Sequence, residues 1–341
     1  MNSEPLVCIC IPNFNNERTI AETLDSLLSQ TYKNIKIKIF DNVSTDGSID
    51  ILKDYEKKHA NIEVFQNEKN IGGEANFTRC IEGLEGQYGA IYHADDLYHS
   101  NIVETEVKYL SENNISAVFV RANLIDDNSN KIGEQFFPDE LKKKNYYQFK
   151  FEQLFSLILK YDNFLITPSV MADTNIYKNQ IREWDGKKFK TSADLDVWLR
   201  FSEIKDIGIV TDNLISYRMS TASFSYRTKF SRIVPRDMFL IIDYYLNKYK
   251  TLHFDRSDYD YLKFKDNLLV VSNKILNNND IELKHIQLFN RSVISKIFSD
   301  KQKFKVYIYA ILLKILLAVK LKNILIKLIK KVNHIPKDLK F

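Results

Sequence analysis

The chain opens with an apolar run, Leu6 to Ile11, stopped by Pro12. That pattern predicts a buried strand leading into a loop. From Arg18 to Gln30 the apolar residues Ile20, Leu24, Leu27 and Leu28 recur at helical spacing. Ile35 to Phe40 alternates Ile with Lys, and a polar turn from Asp41 to Gly47 follows; Ser48 is placed to cap a helix running to about His59. Ile62 to Phe65 predicts a third strand, Glu74 to Glu85 a helix, and Tyr88 to Tyr92 a fourth strand. Ala117 to Val120 predicts another, and residues 128–150, polar and rich in Lys and aromatics, read as a surface excursion. Phe151 to Leu159 and Ser192 to Ser202 read as helices, the second with Asp194 in its first turn. Ile207 to Val210 and Leu214 to Tyr217 read as two short strands, and beyond Pro235 the pattern is helical to the end.

Strands alternating with helices predict an α/β fold with a mainly parallel sheet, helices on both faces, and a helical C-terminal extension. Ligands of such sheets bind beyond the carboxyl ends of the strands. The loops after Ile11, Phe40 and Tyr92 all lie there, so Asn13, Asp41 and Asp95 are expected to converge. The last of these loops is His93-Ala94-Asp95-Asp96. Adjacent carboxylates at the end of a buried strand repel each other unless a cation or a ligand's donors neutralise them, although Asp also occurs in plain solvated turns.

With hydrophobic residues at 45% and charged residues at 27% of 341, the composition is that of a globular chain with a full core. Cys8, Cys10 and Cys80 are too few for a disulfide framework, and Cys8 and Cys10 share one strand face. A reduced, cytoplasmic setting is expected. No signal peptide is legible at the start, and the apolar stretch Val306 to Leu313 is far short of the roughly 20 residues a bilayer span requires. G-x-G-x-x-G after the first strand, G-x-x-x-x-G-K-[ST], H-E-x-x-H and paired C-x-x-C are all missing, which argues against dinucleotide enzymes, P-loop ATPases and zinc sites. Carboxylates and amides at strand ends remain, a ligand type suited to Mg²⁺ or Mn²⁺ with a phosphate.

Five stretches then fall in an ordered series: Val7-Cys8-Ile9-Cys10-Ile11-Pro12-Asn13-Phe14-Asn15-Asn16-Glu17; Phe40-Asp41-Asn42-Val43-Ser44-Thr45-Asp46-Gly47-Ser48; Asn70-Ile71-Gly72 with Asn76 and Gly86-Gln87-Tyr88, leading into His93-Ala94-Asp95-Asp96; Ala193-Asp194-Leu195-Asp196-Val197-Trp198-Leu199-Arg200; and Tyr217-Arg218. Over residues 5–225 the series resembles the family 2 glycosyltransferases. The resemblance implies a GT-A (nucleotide-diphospho-sugar transferase) Rossmann-like fold and an inverting transfer from a UDP- or dTDP-sugar in bacterial polysaccharide synthesis. Residues 1–234 would form the catalytic domain, with 1–110 as its nucleotide-sugar-binding half and 111–234 as its acceptor and catalytic half; residues 235–341 would form the helical region.

The resemblance also implies roles. Asp41 would accept from the N–H of a uracil or thymine ring, with Pro12, Asn13 and Phe14 beside the base and Asn76 and Arg218 on the donor. Asp95 and Asp96 would hold Mg²⁺ or Mn²⁺ against the diphosphate. Asp194 would be the general base, kept ionised by its place in the first helical turn. Asp196 would be solvated and Trp198 part of the core. His93 stands where the family's D-x-D-D motif has its first acid, Ala193 where Glu is usual, and Ser220 where His is frequent. A non-catalytic nucleotide-sugar-binding protein on this scaffold, or a transferase directed at protein, is the alternative to a glycan-extending enzyme.

Charge alters the picture last. Residues 301–341 carry eleven Lys against Asp338 alone, a balance of +10 in a chain of +5, which leaves −5 for residues 1–300. Lys320, Asn323, Lys327, Lys330 and Lys331 form one helical stripe, with Leu321, Ile324, Leu325, Leu328 and Ile329 around the rest. The basic amphipathic tail, residues 303–333, is expected to lie on an anionic membrane, at the inner face of the plasma membrane, where a polyprenyl-diphosphate-linked glycan would be the acceptor. Nucleic acid is not an expected partner, because no stacking aromatics interleave with the lysines after Tyr309.

Overall fold

The structure, a computed structural model, describes residues 4–219, 231–277, 281–286, 288, 290–298 and 300–332. Ser220 and Asn333 lie outside the described residues. The chain divides into two compact units, Met1–Phe155 with Asn163–Met219, and Ser156–Asp162 with Ser220–Phe341.

In the first unit the opening apolar run is β1 (Val7–Asn13), with Val7 to Ile11 fully buried. It pairs in parallel with β2 (Ile35–Asp41) on one side and, on the other, with β4 (Tyr88–Ile91); β3 (Ile62–Gln66) extends the sheet beyond β2, also in parallel. The parallel block places Asn13 opposite Asp41 in register, which brings two strand ends together as the sequence pattern predicts. Between these strands run α1 (Ile20–Leu28), α2 (Ser48–Lys58) and α3 (Gly73–Gly83). Ser48 does not cap α2 through its own side chain. Its N–H and hydroxyl instead donate to the Asp46 carboxylate, at 3.0 and 2.5 Å.

The rest of the sheet is mixed. After the two-residue β5 (Leu97–Tyr98) and α4 (Ile102–Glu112) come β6 (Ile115–Ile125), β7 (Lys131–Glu134) and β8 (Tyr146–Phe149). The expected surface excursion of residues 128–150 therefore contains two short strands. β9 (Val170–Asp173), not foreseen, is antiparallel to both β4 and β6 and joins the parallel block to the β6–β10 pair. The two strands expected at 207–217 are one, β10 (Asp206–Arg218), parallel to β6. The polar Thr211-Asp212-Asn213 break is absorbed by register shifts rather than a turn, as a bulge permits. The strand order is β3-β2-β1-β4-β9-β6-β10-β5, with β7 on β6 and β8 on β10.

Gly86 shows how closely β1 and β4 are joined. Its φ is +74°, and an added Cβ would lie 2.5 Å from the Leu6 carbonyl oxygen, which accepts from the N–H of Gln87 and of Tyr88. Gly86→Ala is expected to cost about 2 kcal/mol or more in urea denaturation. Gly72→Ala, at a φ of +86° but with open space around its Cβ, should show only the smaller conformational part. Equal losses at both positions would show that the contact at Leu6 yields freely.

After α5 (Phe151–Tyr161) and α6 (Ala193–Ile204), the second unit holds α7 (Met238–Lys248), α8 (Arg256–Leu276), α9 (Arg291–Ile297), α10 (Lys301–Ala318) and α11 (Lys322–Val332). Phe264, Val271, Val293, Leu313, Leu325 and Ile329 meet in its core. The tail expectation needs correction here: Leu325 and Ile329 are buried in that core, so much of the apolar side of α11 is already covered by protein. No helix among the described residues is long and apolar enough to cross a membrane. Cys8, Cys10 and Cys80 are all buried and free, with the Cys8 and Cys10 sulfurs 3.9 Å apart.

Candidate active site

The site grows from three strand ends. At the ends of β1 and β2, Asn13 Nδ2 donates to Asp41 Oδ1 at 2.8 Å. The same oxygen accepts from the Ser44 hydroxyl at 2.5 Å, and Oδ2 accepts from the Ser44 N–H at 3.0 Å and from Gln66 Nε2 at 3.2 Å. Asp41 is fully buried, and these four bonds match the four acceptor positions of a carboxylate. Of its donors, Gln66 is exposed and the most distant. Phe14, beside this cluster in sequence, is 44% exposed, and Pro12 is half-buried.

Asn76 is not where the resemblance puts it. It is 2% exposed, donating to the Phe40 carbonyl at 2.8 Å and accepting from Asn67 at 3.1 Å. Asn67 donates in turn to Asn42, which itself donates to Asn70. Asn76 thus belongs to an amide network that fastens the 67–72 loop under the end of β2.

At the end of β4 the chain turns so that Thr19 and Thr23, one helical turn apart on α1, donate to the Ala94 carbonyl, each at 3.1 Å; Thr23 also reaches the Asp96 carbonyl at 2.8 Å. One ligand atom from each of His93, Asp95 and Asp96 lies within 4.8 Å of the others. Asp96 is fully buried; its Oδ1 accepts from the Arg218 backbone N–H at 2.8 Å, while Oδ2 is buried with no hydrogen-bond partner and stands 3.8 Å from His93 Nδ1. His93 Nε2 is likewise buried and unpartnered. Burial, and then the neighbouring Asp95 carboxylate, push Asp96 well above the usual carboxylate range, and Arg218 offsets only part of this. Burial pushes the His93 imidazole down, against the pull of Asp95. A neutral imidazole and two carboxylates with unused lone pairs are a donor set that fits a divalent cation.

Arg218 also differs from expectation. It is 3% exposed, and its Nε donates to the Asp95 carbonyl at 2.8 Å, its Nη1 to the Asp126 carbonyl and Ser129 hydroxyl at 3.1 and 3.0 Å, and its Nη2 to Glu22 at 2.7 Å. Each nitrogen of the guanidinium donates to the protein, and together these bonds tie Arg218 to the carboxylate loop, the 126–129 turn and Glu22. Glu22, Ser129, Gln66 and the threonine pair are missed by a reading of the sequence. Of these, only Thr19 and Thr23 carry a usable signal, small hydroxyls one turn apart on a helix beside the site.

Asp194 opens α6, half-buried. Its Oδ2 accepts from the Thr167 hydroxyl and its Oδ1 from the Leu195 N–H, both at 2.8 Å. Burial raises its pKa and outweighs these two bonds. Asp196 is not solvated: it is 3% exposed and paired with Arg200 Nε at 2.8 Å. Trp198 is fully buried, as expected of core. It also ends an aromatic run from the metal-ligand cluster to α6, His93 to Phe77 at 5.6 Å, Phe77 to Trp184 at 4.7 Å and Trp184 to Trp198 at 5.5 Å between ring centroids.

Residues 8–170, which contain the Asn13–Asp41 cluster and the His93-Asp95-Asp96 cluster, match the model of the family described as Glycosyl transferase family 2. That stretch is a family 2 glycosyltransferase domain. Among its relatives, the uncharacterized glycosyltransferase MJ1057 of Methanocaldococcus jannaschii is 28% identical over 220 residues, 63% of this chain and 71% of that protein. TuaG of Bacillus subtilis, named as a teichuronic acid biosynthesis glycosyltransferase, is 31% identical over 124 residues, 36% of this chain and 49% of TuaG. Among solved structures, S. aureus TarS 1-349 in complex with UDP-GlcNAc is similar with a TM-score of 0.51 at 16% identity, covering 89% of this chain and 79% of that one. That likeness establishes the GT-A fold. Asp194 and Arg218 lie beyond the matched stretch, so the match assigns them no role.

Proposed function

We propose that this glycosyltransferase moves a sugar, with inversion, from a UDP- or dTDP-sugar to a hydroxyl of a growing lipid-linked glycan in surface polysaccharide synthesis, at the cytoplasmic face of the plasma membrane. The observation that carries the reading is the His93-Asp95-Asp96 cluster at the end of β4, with Asp96 Oδ2 and His93 Nε2 buried and unpartnered. The UDP-GlcNAc bound by TarS and the polysaccharide named for TuaG support the donor and product classes.

Asp95 and Asp96, with His93, would hold Mn²⁺ in preference to Mg²⁺, since imidazole suits the former and an all-oxygen shell the latter. When bound, the cation would neutralise charge on the departing diphosphate. Asp41 would accept from the base in place of Gln66, with Phe14 and Pro12 against the ring. The Asn13 and Ser44 bonds keep the Asp41 carboxylate oriented meanwhile. Asp194 would take the acceptor's hydroxyl proton as the new oxygen–carbon bond forms at the anomeric carbon; the bond to the diphosphate breaks there, and the diphosphate leaves with the electron pair. A base with a raised pKa holds that proton better than an ordinary Asp.

A thermal-shift panel tests the reading. UDP or dTDP with Mn²⁺ is expected to raise the Tm, by the equivalent of about 2.7 kcal/mol at a hundredfold excess over Kd. GDP is expected to leave it unchanged, and Mg²⁺ to act more weakly than Mn²⁺. Equal stabilisation by GDP, or a UDP response indifferent to added cation, would remove the donor and metal assignments respectively.

A further inference from the structure

The helical unit presents one apolar surface that its own core does not use. α10 buries Tyr309, Ala310 and Leu313 against the rest of the unit. On another face it carries Phe304, Ile308, Leu312, Ile315 and Val319, at steps of four, four, three and four residues, between 39% and 55% exposed. Those steps place the five side chains on one stripe. Phe298, 74% exposed, lies with its ring 6.1 Å from that of Phe304, and Leu321 and Ile324 of the next helix are 46% and 52% exposed. A helix that is apolar on two faces belongs inside something, and among the described residues only one face is covered.

Charge indicates the occupant. Lys301, Lys305, Lys320, Lys327 and Lys331 are exposed around these residues, and no acid occurs between Lys301 and Lys337. Two copies meeting through this face would bring like charges together, whereas an anionic lipid surface complements them. The four lysines within α10 also bar it from spanning a bilayer, so it would lie along the interface.

We propose that the α10 stripe, rather than the lysine stripe that begins at Lys320, docks this enzyme on an anionic bilayer, with the apolar side chains in the headgroup boundary and the lysines on the phosphates. The proposal rests on the membrane half of the reading above and is tested without any transfer assay, so loss of one leaves the other standing. The full chain is floated with vesicles of phosphatidylcholine alone and with phosphatidylglycerol added, at low and high salt. Binding is expected only to the anionic vesicles, weakened by salt. Leu312→Glu with Ile315→Glu is expected to lower binding roughly tenfold or more, with the melting curve and nucleotide response retained because both positions are exposed. Lys301→Gln with Lys305→Gln should weaken binding to the anionic vesicles less severely. No binding by the intact chain overturns the proposal, as does binding that the Leu312/Ile315 variant leaves intact. A dimer in light scattering that the same variant dissolves, without vesicle binding, overturns it in favour of a second copy.

Discussion

Asp194→Asn is expected to lower sugar transfer by about two to four orders of magnitude while nucleotide binding is retained. The substitution is nearly isosteric. Thr167 and Leu195 donate to the two carboxylate oxygens, and the amide keeps one acceptor for the Leu195 N–H while the Thr167 hydroxyl rotates to accept. Geometry therefore survives, and the ability to take a proton does not. The pH dependence follows from the raised pKa. The base works deprotonated, so the rate falls as pH drops through a pKa above the ordinary Asp value of about 4. The stability sign is the opposite of the usual salt-bridged carboxylate. A folded-state pKa above the unfolded one means that the charged form is disfavoured by folding, a cost fully present above the folded pKa and relieved as pH falls through it. Asp194→Asn should then melt at or above the wild-type temperature at neutral pH, with the difference shrinking on acidification. Undiminished turnover in the variant would end the assignment. A lower neutral Tm would show that the carboxylate stabilises rather than strains its surroundings.

What the chain made legible in advance was whatever depends on local pattern. The buried β1 run, the parallel block around it and the convergence of Asn13 with Asp41 follow from periodicity and strand-end logic, and the structure bears them out. Contacts decided at long range were not legible. β9 is four residues without alternation, and only its two antiparallel partners make it a strand. Asp196 and Arg200 are one helical turn apart, and spacing allows either a solvated pair or a buried one; the Ile181 and Glu183 carbonyls, which also accept from Arg200, decide for burial. Asn76 and Arg218 sit at the positions the family pattern marks, yet both are buried and bonded to the protein itself. A motif locates a residue in the chain, but only the surrounding acceptors determine whether it faces a ligand.

That distinction makes Arg218 the second large effect. Arg218→Met keeps the backbone N–H that holds Asp96 Oδ1 but removes every guanidinium bond. Arg218 is 3% exposed; the Asp126 carbonyl keeps the Ser129 N–H and the Ser129 hydroxyl keeps Glu22, so the Asp95 carbonyl is the acceptor that loses its donor. Glu22 is 46% exposed, so its ion pair adds little and water replaces it. One part-buried acceptor left unpaired, together with the lost packing of a buried side chain, gives an expected loss of about 2 kcal/mol, or roughly 4–8 °C in Tm for a unit of this size. The same clamp sets the main chain from which Asp95 projects. Mn²⁺ affinity, read by titration against the thermal shift, is expected to fall about 10–100-fold, as for loss of a group that orients a metal ligand. Arg218→Lys should recover only part of both, because an ammonium cannot span acceptors in three directions. A diphosphate-contacting arginine would behave differently: Arg218→Met would then leave the unliganded melt unchanged and weaken nucleotide binding alone. The melt of the unliganded variant therefore separates a clamp from a contact before any donor is added.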